Sequence, residues 1–161
     1  MKDQLAKLAA FQARVRAVRA APPSERMKRA QELVAIHGIP PMTFPVAIAL
    51  LRLLRDSIDS ANDWIAVLDF IRKLPDDLSR QAEVREHLAF ALSNTGKHIE
   101  SIAELEALID TSGPTPERLG LLGGRYKRQF NSAKTPDQRL MYLNKSIQSY
   151  ERGMDLDLND Y

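Results

Sequence analysis

The chain has 161 residues, of which 44% are hydrophobic and 27% charged, a composition that fits one globular domain better than two. A net charge of +2 demands neither nucleic acid nor a membrane surface as partner. Cysteine is absent, which excludes disulfides, thiol catalysis and cysteine-ligated metal, and no apolar run approaches the ~20 residues needed to span a bilayer.

The first helix is expected from about Lys2 to Ala20, with Leu5, Leu8, Phe11, Val15 and Val18 on one face. Pro22-Pro23 stops it. Ser24 is placed to cap a second helix carrying Met27, Ala30, Leu33 and Val34 and closing at Gly38. Pro40-Pro41 breaks the chain again, and Thr43 then caps a third helix through Val46, Leu50, Leu51, Leu54 and Ile58. A fourth runs from about Asn62 to Leu74, with Trp64, Val67, Leu68 and Ile71 inward. The fifth spans about Ser79 to Asn94, and the sixth about His98 to Asp110 before Gly113-Pro114. Thr115-Pro116-Glu117 is a strong start for the seventh: a capping hydroxyl, proline in the first turn, then an acid facing the helix dipole. Thr135-Pro136-Asp137 repeats the device before the eighth. No segment alternates like a strand, so the fold class is all-α with eight helices.

Successive helix hairpins invite a search for a fixed period. The tetratricopeptide pattern, with a period of ~34 residues, wants W-x2-L-G-x2-Y in one helix and A-x3-F in the next. The sequence offers Leu119-x2-Leu122-Gly123-x2-Tyr126 and then Ser146-x3-Tyr150. One period earlier stand Leu88-Ala89-x2-Leu92 and Ser101-x3-Leu105, and one earlier still Leu51-x2-Leu54 and Val67-x3-Ile71. Three repeats follow, at about 48–81, 82–115 and 116–160, stacked as a right-handed superhelix. An N-terminal hairpin of residues 1–42 covers the first. Leu88 and Ser101 are 13 residues apart, whereas Leu122 and Ser146 are 24 apart. The additional residues near 129–140 must lengthen the helices or the loop of the last repeat. In that repeat Ile147, Tyr150 and Met154 are expected to face inward.

Two segments are more particular than a generic repeat: Thr115-Pro116-Glu117-Arg118-Leu119-Gly120-Leu121-Leu122-Gly123-Gly124-Arg125-Tyr126-Lys127-Arg128, and Tyr150-Glu151-Arg152-Gly153-Met154-Asp155-Leu156-Asp157-Leu158-Asn159-Asp160-Tyr161. With Leu54–Pro75 and Leu88–Asn94 they resemble the TRAF-binding, tetratricopeptide-like domain of the apoptosis signal-regulating kinases and its bacterial relatives. The resemblance covers roughly Leu50 to Tyr161. It implies a tetratricopeptide-like fold that recruits or regulates partner proteins, in a bacterial, signalling setting, and no kinase sequence accompanies it here.

Chemistry is harder to find. His37, His87 and His98 share no metal-ligand spacing, and His87 is expected to be partly exposed. Leu119–Arg125 holds glycines without the order of a phosphate loop, and Asp155, Asp157 and Asn159 lack the glycine and distal glutamate of a calcium loop. No enzyme, metal or cofactor is expected. If the first helix of each pair lines a concave groove, that groove presents Arg52, Asp56, Glu83, Glu86, Phe90, Asn94, Glu117, Lys127 and Arg128 to a protein partner. A chaperone-type carboxylate clamp does not fit, because Asp56, His87, Glu117 and Gly120 occupy its positions.

The expectation is therefore a non-catalytic, cytoplasmic interaction scaffold. The outer edge of the last repeat calls for a homodimer or a longer chain to cover it. The competing reading is that Arg14, Arg16, Arg19, Lys28 and Arg29 bind nucleic acid or an anionic surface. An Arg-rich front also allows a transit peptide.

Overall fold

A computed structural model describes residues 2–39 and 41–159. The expected breaks and contacts involving Pro40, Asp160, Tyr161 and the Leu5 side chain lie outside the described residues. Within them every regular element is helical: α1 Lys2–Ala20, α2 Pro23–His37, α3 Phe44–Asp56, a single 3-10 turn Ala61–Asp63, α4 Trp64–Arg72, α5 Asp76–Ser79, α6 Ala82–Asn94, α7 His98–Ser112, α8 Pro116–Ser132 and α9 Pro136–Asn159. The all-α expectation holds. The element count does not: an additional one-turn helix, α5, precedes the fifth expected helix, which begins at Ala82 as α6. Pro75 followed by two acids opens α5, and Arg80–Gln81 separates it from α6 although neither residue is a strong helix breaker.

Helix ends follow local chemistry where a cap is present. Thr115 Oγ1 accepts the Arg118 backbone N–H at 3.2 Å, and Thr135 Oγ1 accepts that of Gln138 at 3.3 Å, each relieving one unpaired donor of a helix start. Glu117, exposed in the first turn of α8, has its carboxyl held below the ordinary range by hydrogen bonds to its own backbone and to Thr115. Asp63 accepts the backbone N–H groups of Asp59 and Ser60 at 2.9 and 2.8 Å, which lowers its pKa and fixes the turn into α4. Ser24 is not the cap it was expected to be: α2 already begins at Pro23, whose missing N–H suits a first helical position. Gly113, at φ 81°, ends α7 in the left-handed region that glycine enters at no steric cost.

The chain forms two compact units, meeting between Val84 and Arg85 inside α6. In the first, α1 buries Phe11, Val15 and Val18. Leu8 stays exposed, contrary to expectation. The core of this unit is α3 with α4: Leu50, Leu51, Leu53 and Leu54 are almost wholly enclosed, as are Val67, Leu68, Phe70 and Ile71. Each such side chain contributes about 1.5–3 kcal/mol over its exposed state. An Arg19–Asp56 pair at 3.0 Å joins α1 to α3, and an Arg52–Glu83 pair at 2.7 Å joins α3 to the start of α6.

The second unit centres on Ala89, Ile102, Leu105, Leu122 and Tyr126, with Ile109, Leu121 and Tyr142 around them. The repeat register is visible in its hydrogen bonds. Ser101 Oγ donates to the Ala89 carbonyl at 2.6 Å, and Ser146 Oγ donates to the Gly123 carbonyl at 2.9 Å. Small residues thus sit where the two helices of each pair approach most closely. The additional residues of the last pair lengthen both helices, to 17 residues in α8 and 24 in α9.

The rotation of α9 differs from expectation. Ser146, Ser149 and Gly153 are buried, while Ile147, Tyr150 and Met154 are 45%, 42% and 61% exposed. Small side chains let α9 lie close along α8. The large ones are left outside, except that the Tyr150 ring lies over Gly123, where a Cβ would come within 3.1 Å of it.

Candidate functional site

In the first unit, the expected docking residues are tied to one another or to α1. Arg52 pairs with Glu83, and Asp56 is held by Arg19, all on the exposed or half-exposed surface. Surface pairs of this kind contribute about 0–1 kcal/mol, so they are readily exchanged for an incoming charge. Of the basic residues nominated for nucleic acid, Arg19 is thus engaged by Asp56, and Arg29 pairs with Glu25 at 2.6 Å. His37 closes α2 and sets its ring edge-on to Phe11, with centroids 5.0 Å apart.

In the second unit, Glu86 and Phe90 of α6 meet arginines of α8. Glu86 accepts Arg118 Nε at 2.8 Å. Asn94 turns back to its own helix, donating to the Phe90 carbonyl at 2.8 Å. Phe90 is half-buried beneath the Arg125 guanidinium, which stands 5.4 Å from the ring centroid. Glu117, Lys127 and Arg128 are exposed on α8. Two helices are further joined by Arg85, which reaches from α6 to Glu104 at 2.6 Å and to Thr111 at 3.0 Å on α7.

Sequence reasoning missed the two buried arginines. Arg118 and Arg125 are 8% and 7% exposed and lie seven residues apart on the face that carries Leu122. The signal was a pair of cations within an apolar helical stripe, which a periodicity reading assigns to solvent. Their surroundings contrast. Arg118 donates to Glu86, to the Ser112 carbonyl at 3.1 Å and to the Gly113 carbonyl at 2.7 Å. Arg125 Nε is buried with no hydrogen-bond partner. Burial, and then the neighbouring Arg128, hold the Arg125 pKa below the usual guanidinium range, while Tyr150 acts in the opposite direction.

His87 is buried rather than partly exposed, at 8%. His98 opens α7, with Nδ1 3.3 Å from Ser93 Oγ. Its pKa is lowered by burial first, then by Arg128 and Arg125. Next to Arg125 on α8, Tyr126 donates its hydroxyl to Glu106 of α7. Burial, followed by that hydrogen bond, raises its pKa well above the usual phenol value. Asp155 and Asp157 lie on the continuous helix α9 and form no loop.

Helix hairpins joined by a small-residue contact that recurs at one register define a tetratricopeptide-type protein. The Tetratricopeptide Repeats-Sensor (TPR-S) family matches residues 63–161, more than half of the chain, and the protein belongs to that family. Among solved structures, the chain is similar to one titled MamA MSR-1 C2, with a TM-score of 0.58 and 15% identity over 89% of this chain and 76% of that one. That likeness is one of fold. No curated protein matches the sequence.

Proposed function

We propose that the protein is a non-catalytic interaction and regulatory module that docks a partner protein on the faces of its first-in-pair helices. The observation that carries this reading is membership of a tetratricopeptide family together with the chemistry those helices expose. On the first unit the docking groups are Arg52, Asp56 and Glu83, whose mutual and α1 pairs are weak enough to be replaced. On the second they are Glu86, Phe90 and Asn94 from α6 and Glu117, Lys127 and Arg128 from α8. A half-buried aromatic ring beside exposed charges is the composition of a protein-binding surface. The family's name includes the word sensor, which agrees with a regulatory role. The resemblance to the TRAF-binding domain and its bacterial relatives supports the same reading, with a cytoplasmic, bacterial signalling setting. Its test is affinity capture from native lysate with Phe90→Ala, Lys127→Glu and, as a control on α1, Arg16→Glu. The reading expects one partner that both docking variants lose and the control retains. Retention by both docking variants contradicts it.

A second copy of the chain is proposed as partner for α9. Leu140, Leu143, Ile147, Tyr150 and Met154 are all exposed, and their 3-4-3-4 spacing is that of a coiled-coil seam. Charge on α9 is unevenly divided, with Arg139 and Lys145 against Asp137 in its first half and Glu151, Asp155 and Asp157 against Arg152 in its second. Antiparallel pairing of two α9 helices sets those halves opposite each other. Sedimentation of the 161-residue chain is expected to show a dimer that Ile147→Glu converts to a monomer. A wild-type monomer at micromolar concentration contradicts the pairing.

A further inference from the structure

Arg118 and Arg125 occupy the same face of α8 at nearly equal burial, yet the Nε–H of Arg118 has an acceptor and that of Arg125 has none. Arg118 lies at the carbonyl end of α7, where Ser112 and Gly113 offer oxygens and Glu86 supplies a carboxylate. Two turns further on, Arg125 lies in company with His98, the residue that opens α7. That end of a helix presents N–H donors and the positive pole of its dipole. The groups around Arg125 are of one sign or neutral: Arg128, His98, the Phe90 ring and Tyr150. The acid on the first turn of α7, Glu100, is turned to Lys97 at 3.5 Å.

A buried guanidinium with an orphaned Nε–H is costly. Phe90 accommodates one of its faces through a cation–π contact. Its planar set of donors still lacks an oxyanion. Two arginines and a helix N-terminus, beside a histidine that can donate an N–H, together exceed the charge of one carboxylate and suit a doubly charged tetrahedral group.

We propose that Arg125, Arg128 and His98, at the start of α7, form a receptor for a phosphoryl group. Arg125 provides the fixed fork from within, Arg128 closes over it from solvent, and the Phe90 ring forms the floor. This site shares Phe90 and Arg128 with the proposed docking surface but does not rest on that reading, since it would take a small phosphate as well as a phosphorylated side chain.

The test follows the Arg125 Nε–H and the backbone amides of Lys97–Glu100 by NMR as inorganic phosphate is titrated at constant ionic strength against chloride. Saturable shifts are expected in the native chain. Arg125→Gln and Arg128→Gln should each weaken binding at least ~10-fold, the effect of losing a charge-assisted contact. Arg128 is exposed, so its variant keeps the test open if Arg125→Gln disturbs folding. Arg55→Gln, on the exposed face of α3, should bind as the native chain does. Adenosine monophosphate and a phosphoserine peptide, each beside its unphosphorylated form, distinguish a small-molecule source from a protein one. Either is expected to compete with phosphate for the same amides. Shifts that do not saturate, that survive both arginine variants, or that glutamate reproduces at equal concentration overturn the assignment.

Discussion

The α6/α7 and α8/α9 pairs reach close contact by the same device and fill the remaining space by opposite ones. In both, a serine of the second helix donates to a carbonyl of the first, at Ala89 in one pair and Gly123 in the other. Beyond that point α7 turns large aliphatics inward, with Ile102, Leu105 and Leu108 buried. Helix α9 turns in Ser146, Ser149 and Gly153 and carries its large apolar residues outside. A Cβ at Gly153 would sit 3.4 Å from Leu119 Cβ, so α9 runs almost against the backbone of α8. One pair therefore gains its stability from apolar volume. The other relies on backbone proximity, and leaves an apolar face available for another surface.

The largest effect that would sharpen this contrast is in the aliphatic pair. Leu105→Ala, at a site 1% exposed, is expected to cost about 2–5 kcal/mol, read as a lower denaturant midpoint. Gly123→Val should cost about 1–3 kcal/mol by overpacking, because its Cβ meets the Tyr150 ring at 3.1 Å. Ser101→Ala and Ser146→Ala are expected to cost about 0.5–1.5 kcal/mol each. Similar losses in both support a shared register, and a silent Ser146→Ala would break the comparison. Met154→Ser, on the outer face of α9, should change monomer stability by no more than about 0.5 kcal/mol.

A pH experiment tests the contact of Tyr126 with α7. Tyr126 holds its proton more tightly in the folded chain than in the unfolded one, through burial and then Glu106. The stability it contributes is therefore complete below about pH 10 and is lost as pH rises beyond that. Alkaline titration of the unfolding midpoint should show this limb, and Tyr126→Phe should flatten it. An unchanged limb in the variant assigns the effect to another group.

Legibility in the sequence followed the range of the forces involved. The caps at Thr115 and Thr135 were readable because proline, hydroxyl and acid act within one turn. The pairing of Leu122-Gly123 with Ser146 was readable because small residues stand at a fixed period. The break at Arg80–Gln81 was not, since nothing local forbids a helix there. The rotation of α9 was misjudged because Ile147, Tyr150 and Met154 give a stronger apolar period than the small residues that turn inward. At the site, exposed charges such as Lys127 and Arg128 could be placed by register. The buried Arg125 could not, because its position depends on what α6 and α7 set around it.

The double-mutant cycle between Gly123 and Tyr150 tests the central claim most directly, that repeat register brings the backbones of α8 and α9 together beneath one aromatic ring. Gly123→Val should destabilise the native chain by about 1–3 kcal/mol and lose most of that effect when Tyr150 is alanine. An equal loss in both backgrounds would mean that the ring does not lie over that backbone, and the packing of this pair would need another explanation.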